Sequence, residues 1–147
     1  MIELLLSLIL AVTGIARAVD PGLTAIAERR AAETATDATF SHAGMDPCCA
    51  EVLAWNLGVS DPARSAVEQW QGSPSHWAIL SDPSLTRIGC GHAVGPDGRH
   101  EFACLLAPGY DQPAVEPAGV ARSPKPTPAG STPAGGATTL PDTAMHP

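Results

Sequence analysis

Trp70-Gln71-Gly72-Ser73-Pro74-Ser75-His76-Trp77, followed downstream by Ile88-Gly89-Cys90-Gly91-His92-Ala93, is the most informative part of the chain. Ser73-Pro74 separates two helices, because serine offers a capping side chain and proline presets φ for the first helical turn. The same pairing recurs at Asp20-Pro21, Asp46-Pro47 and Asp61-Pro62. After Pro21, the positions Leu23, Ile26, Ala27 and Arg30 recur at helical spacing and predict a helix running toward Thr36 and ending before Phe40. After Pro62, the residues Ala66, Val67 and Trp70 mark the buried side of a second helix. Trp77 and Leu80 mark a short third helix, which Asp82-Pro83 stops because a residue before proline avoids the α region. Asp46-Pro47 with Cys48, Val52 and Trp55 reads locally as a further helix.

Two strands are predicted over residues 86–93 and 101–107, around the turn cluster Gly95-Pro96-Asp97-Gly98. Asp97 lies midway between Cys90 and Cys104, so a cross-strand disulfide between them is geometrically natural. Helices ahead of a terminal hairpin predict an α+β layered domain.

The chain has 147 residues and a formal charge of −7, with 8 Lys+Arg in total and Lys125 as its single lysine. No basic stripe exists, which excludes a nucleic-acid partner of the phosphate-backbone kind. Residues 1–18 open on a short apolar run and end in Ala16-Arg17-Ala18, the pattern of a secretory signal peptide cut after Ala18. The run falls short of the ~20 apolar residues that a bilayer span needs, so membrane contact is expected only through this segment if it is uncleaved. Four cysteines, Cys48, Cys49, Cys90 and Cys104, fit an oxidising compartment and a secreted protein. Residues 111–147 contain no Trp, Phe, Tyr or Cys and are rich in Pro, Ala, Gly and Thr. Such a mixture cannot offset its ordering entropy, so it is read as a disordered tail, open to O-glycosylation or a spacer role. The folded domain is then residues 19–110.

Together with Phe40-Ser41-His42 upstream, these motifs resemble the signature of the CAP superfamily, or SCP domain: cysteine-rich secretory proteins, antigen 5 and plant pathogenesis-related 1. The resemblance covers roughly residues 23–109, is strongest from Trp70 to Cys104, and is closest to short bacterial members. It implies an α-β-α sandwich with helices packed on a small antiparallel sheet. It also places His42 and His76 in one cavity and repeats the Cys90–Cys104 pairing. Glu51, in Cys49-Ala50-Glu51-Val52, matches the family's cavity glutamate without its flanking Gly and Asn. That segment is extended in the family, whereas the local pattern here gives a helix and a solvent-facing glutamate. Gln71-Gly72-Ser73 carries no acid where eukaryotic members have a second cavity glutamate. The family's opening helix is missing or taken up by the signal sequence, and the connection after the first histidine is cut to residues 43–47.

His76 falls in the first turn of a helix, where the dipole favours the neutral, metal-ligating imidazole. Two histidines leave a divalent cation open to water, so His42 and His76 predict at most weak, exchangeable Zn2+ binding. Cys48 and Cys49 are open to a vicinal disulfide, an interchain bond, a reduced pair or a soft metal site, with the vicinal bond ranked first. Trp55, Trp70 and Trp77 are read as core. Nothing assigns a role to His92, His100 or His146. No nucleophile elbow, His-Glu-x-x-His or phosphate-cradling loop occurs. The leading reading is a secreted, non-enzymatic CAP-type module that binds a small apolar ligand such as a lipid, or an extracellular macromolecule. The alternatives are a metal-dependent hydrolase with Glu51 as general base, and a structural surface protein held at a distance by its tail.

Overall fold

The computed structural model describes residues 1–36, 41–42 and 48–110. The predicted tail, Phe40, Asp46-Pro47 and the shortened connection lie outside the described residues. The elements run α1 (Ile2–Thr13), β1 (Ala18–Val19), α2 (Pro21–Thr36), β2 (Ala50–Asn56), α3 (Pro62–Gly72), α4 (Pro74–Leu80), β3 (Arg87–Val94) and β4 (His100–Ala107).

The caps read from sequence hold at two starts. Asp20 Oδ1 accepts from the backbone N–H of Gly22 and Leu23, opening α2. Asp61 Oδ1 accepts from Arg64 N, opening α3. At α4 the proline alone sets the start, because the Ser73 hydroxyl makes no cap bond to the helix. Arg87 and Tyr110 also donate to Asp20 Oδ2, at 2.7 and 2.8 Å, so one carboxylate ties the start of α2 to β3 and to the end of the described domain.

Among the described residues the sheet has four strands in the order β1-β3-β4-β2. β3–β4 and β2–β4 are antiparallel, but β1 lies parallel to β3, so the sheet is mixed. The β1 edge was not legible because only two residues form it, held by Ala18 N to Thr86 O and Asp20 N to Ile88 O, both 2.9 Å. Cys90 and Cys104 face each other in the hairpin register and are bonded.

β2 corrects the helix read locally over Cys48 to Trp55. It pairs with β4 along its whole length, and Glu51, Val52, Leu53 and Ala54 are all buried because helices cover both faces of the sheet. Burial on both sides erases the alternation that would mark a half-exposed strand.

Two cores result. Leu5, Ile9, Val52, Val67, Trp70, Leu80, Phe102 and Cys104 belong to the layer under α1, α3 and α4. Leu23, Ala27, Ala31, Leu53, Ala103 and Leu105 form the layer under α2. Trp70 is fully buried, and its indole N–H donates to Leu53 O at 2.8 Å, which satisfies the polar end of a large core aromatic. Trp77 is half-buried against this core. Trp55 departs from the core reading: it is 44% exposed and lies beneath the Arg99 guanidinium.

The segment read as a leader takes part in this packing. Leu5 and Ile9 of α1 are buried beside Trp70. Arg17 donates from Nη2 and Nε to the carbonyls of Leu80 and Leu85 at 2.7 and 2.8 Å, closing the C-terminal end of α4. An opening helix ahead of Leu23 is therefore present in the fold.

Gly89 and Gly91 explain the glycines around Cys90. A Cβ at either would run into the backbone of α2, at Leu23–Thr24 and at Ala27–Glu28 respectively. Their missing side chains let the helix lie directly on β3. Gly91→Ala is therefore expected to cost about 1–3 kcal/mol by overpacking, or roughly 4–8 °C in Tm per kcal/mol for a domain of this size. Thermal melts of the oxidised protein, read against Gly72→Ala at an open helical position, check it.

Candidate functional site

The site begins with a charge on an apolar helix face. Arg30 sits on the stripe of α2 that carries Leu23, Ala27 and Ala31, and its side chain is only 7% exposed. A guanidinium buried there needs a partner, and Glu51 on β2, with a fully buried side chain, supplies it. Arg30 Nε reaches Glu51 Oε2 at 2.9 Å and Nη2 reaches Oε1 at 3.2 Å, a two-pronged pair. Arg30 also donates to Glu33 Oε2 and to the Ser41 carbonyl, which ties Ser41 to the helix.

His42 comes next in the chain. Its Nδ1 lies 2.9 Å from Glu51 Oε1. An ionised carboxylate only accepts, so Nδ1 carries the hydrogen, and in the neutral form of the ring Nε2 holds the lone pair. Burial pushes the Glu51 carboxyl up, but the hydrogen bonds from His42 and Arg30 and their positive charges outweigh it and hold Glu51 below the usual carboxylate range.

His76 stands in the first turn of α4, half-buried, with its ring centroid 6.1 Å from that of His42. Burial, then the neighbouring His42, pushes its imidazole below the usual range, so it is neutral near pH 7. The structure thus brings together His42, Glu51 and His76, the three residues named from the sequence. It gives Glu51 a different character from a solvent-facing helix glutamate. Both its oxygens are engaged, and it orients His42. The alternation lost to two-sided burial hid β2. Arg30 was visible as a helical position, yet the clue that it needs an acid was its place on a buried face.

The donor set suits a divalent cation through two imidazole nitrogens. Rings that share a tetrahedral ion through Zn–N bonds of about 2.0–2.1 Å place their centroids about 5.2 Å apart, so His42 and His76, at 6.1 Å, must draw together to share one. Glu51 acts behind His42 in that arrangement, as carboxylates do behind metal-binding histidines. Among the described residues no group of three or more His, Cys, Asp or Glu is gathered for a metal. Cys48 and Cys49, next to Glu51 in the chain, are bonded to each other.

Among the described residues an apolar cleft lies elsewhere. A cleft of about 210 Å³ opens between α1, β1 and β3, lined by Leu6, Ile9, Leu10, Ile15, Val19 and Ile88 among others. It is at the β1 edge of the sheet, whereas Glu51 belongs to the opposite edge strand, β2.

Residues 16–106 match the model of the cysteine-rich secretory protein (CAP) family. Among curated proteins no sequence matches. The fold is similar to that of an outer surface protein from Borrelia burgdorferi, with a TM-score of 0.61 and 21% identity over 71% of this chain and 90% of that one. It is also similar to the hookworm platelet inhibitor, with a TM-score of 0.52 and 14% identity over 78% of this chain and 72% of that one. At these identities the likeness is one of fold.

Two buried acids titrate in opposite senses. Glu51 is held low, so its native form sheds its proton more readily than the unfolded chain. Its stabilisation is present above the ordinary glutamate range and is lost as pH falls through its own lower value. Arg30→Met, which strands the Glu51 charge, is expected to cost about 3–5 kcal/mol at pH 7. Glu101 is fully buried, and burial raises its carboxyl from 4.5 to about 6 despite Arg99 at 2.7 Å. That pair is close but not aligned as a hydrogen bond. Stability tied to Glu101 is therefore full below pH 4.5 and lost as pH rises through about 6. Glu101→Gln is expected to remove this loss, worth about 1–2 kcal/mol between pH 4.5 and pH 7.5. Urea titrations of Glu101→Gln across that range, and of the native protein and Arg30→Met down through the pH below the ordinary glutamate value, check the two signs.

Proposed function

Since the chain belongs to the cysteine-rich secretory protein (CAP) family, we propose that it is an extracellular, non-enzymatic binding module whose working corner is His42, Glu51 and His76. The observation that carries this reading is the buried Glu51 carboxylate, clamped by Arg30 and bonded to His42 Nδ1. It fixes the tautomer of His42 and leaves Nε2 as a ligating nitrogen beside a neutral His76. The corner takes Zn2+ weakly and exchangeably, because two protein nitrogens leave the remaining positions to water or to a polar ligand group.

Two disulfides support an oxidising, extracellular setting. No described helix is long and apolar enough to cross a membrane. A small apolar ligand or the apolar part of an extracellular partner fits the cleft between α1, β1 and β3 better than the histidine corner, which is lined by charged groups. A hydrolase reading needs Glu51 as a free base near a metal-bound water. Its oxygens are occupied and its carboxyl is held low, which favours orientation of His42 over proton abstraction. Export with removal of residues 1–18 is tested by N-terminal sequencing of the secreted protein. A start at Val19 supports a cleaved leader, and recovery of the α1 sequence supports its retention as a core helix.

Zinc calorimetry on the full chain tests the corner. Saturable binding is expected for the native protein, and loss of at least about tenfold in affinity for both His42→Ala and His76→Ala. Binding that ignores both substitutions overturns the reading.

A further inference from the structure

A second pair of histidines lies outside the corner. His92 near the end of β3 and His100 at the start of β4 sit diagonally across the hairpin, since His92 faces Phe102 and Val94 faces His100. Residues two apart on a strand share a face, so both imidazoles stand on the face that carries Phe102 and Cys104. His92 Nε2 and His100 Nδ1 are 2.9 Å apart, with ring centroids at 5.1 Å and planes inclined by 21°. Phe102 supports the pair, its ring centroid 4.7 Å from that of His92. The Cys90–Cys104 disulfide fixes the two strands one step further along the same face. Among the described residues neither ring is hydrogen-bonded or ion-paired to a carboxylate, and His92 Nε2 and His100 Nδ1 face each other.

We propose that His92 and His100 form a two-nitrogen chelate for a divalent transition-metal cation of tetragonal preference, with Cu2+ as its best occupant. The spacing carries the assignment. Two nitrogens bound cis, at about 90° and about 2.0–2.1 Å from one ion, stand about 2.9 Å apart. The observed separation has that value in a head-on N–H···N pair, so the strands keep their register and each imidazole turns about its side-chain torsions to aim its lone pair at the shared ion. In the metal-free pair one ring donates its N–H to the other. On binding, that hydrogen relocates to the donor ring's second nitrogen, both facing lone pairs turn to the ion, and a neutral pair releases no proton.

A further observation points the same way. Asn56 lies directly opposite His100 in the β2–β4 register and is 95% buried. Its Nδ2 donates to Pro62 O, while its Oδ1 has no hydrogen-bond partner. Directly opposed residues have Cβ atoms about 4.5–5.5 Å apart, which puts a neutral oxygen acceptor next to the pair. Copper lies at the top of the divalent affinity order for nitrogen donors.

Cu2+ titration of the full-length oxidised protein tests this, followed by calorimetry and by electron paramagnetic resonance at pH 7.5. The background is His42→Ala/His76→Ala, which removes the corner proposed above and keeps the two readings separable. One equivalent of Cu2+ is expected in that background, with nitrogen hyperfine structure. His92→Gln or His100→Gln added to it is expected to weaken binding at least about tenfold. Copper binding that is absent in the background, or indifferent to both added substitutions, overturns the proposal. If the added variants fail to fold, Cu2+-induced broadening of amide resonances in the unsubstituted protein decides. Broadening centred on residues 91–93 and 99–101 supports the site, and broadening confined to the His42 and His76 region overturns it.

Discussion

The buried Arg30–Glu51 pair is the constraint from which the candidate site follows. It joins α2 to β2 across the sheet face, and neither charge can be left alone in that interior. Once Arg30 is committed to Glu51, its remaining N–H groups hold Glu33 and the Ser41 carbonyl. That contact delivers His42 to the same carboxylate. One ion pair therefore bears on where Ser41 and His42 lie, which nitrogen of His42 carries the hydrogen toward Glu51, and which imidazole stands near His76. It couples packing to chemistry, because a change that breaks the pair disturbs the layer under α2 and the histidine corner together.

A second constraint acts through what is missing. Gly89 and Gly91 alternate with Ile88 and Cys90 along β3, so one face of the strand is bare and the other is apolar. The bare face admits α2 at backbone distance. The apolar face receives the core beneath α1, α3 and α4. The disulfide to Cys104 sits on the apolar face, so the covalent link and the close helix approach do not compete for space. This division lets a small domain build two layers on one narrow sheet, at a size where disulfides commonly supplement the core. Cys48–Cys49 adds a second bond just before β2, near the pair that anchors the site.

The mixed sheet also separates two kinds of surface. Charged and imidazole groups gather at the β2 side, where His42, Glu51 and His76 meet. The apolar cleft lies by β1 and α1. A family resemblance that treats the cavity as one place blurs this distinction, whereas the strand order β1-β3-β4-β2 keeps the two apart. The exposed Trp55 beneath Arg99 shows the same point on a smaller scale. A tryptophan at the end of β2 keeps solvent contact because no described helix covers it there.

By itself the sequence determined the local punctuation of this protein. Asp20-Pro21 and Asp61-Pro62 set helix starts through caps that need only neighbouring residues. The turn at residues 95–98 set the hairpin and, with it, the facing of Cys90 and Cys104. His42, Glu51 and His76 were named from motifs, since their residue types and order survive without coordinates. Tertiary structure alone decided the rest. β2 is a strand because β4 pairs with it and helices bury both its faces, which overrides a local pattern that reads as helix. β1 exists only through its partner β3. The apolar run at the start packs as α1 because α3 and the sheet offer it a face, a fact no hydropathy pattern contains. Glu51 became an orienting group rather than a surface acid because Arg30 lies twenty-one positions away in sequence and 2.9 Å away in space. Charge pairing across such a separation depends on which faces the fold brings together, and the chain records the charges but not their meeting.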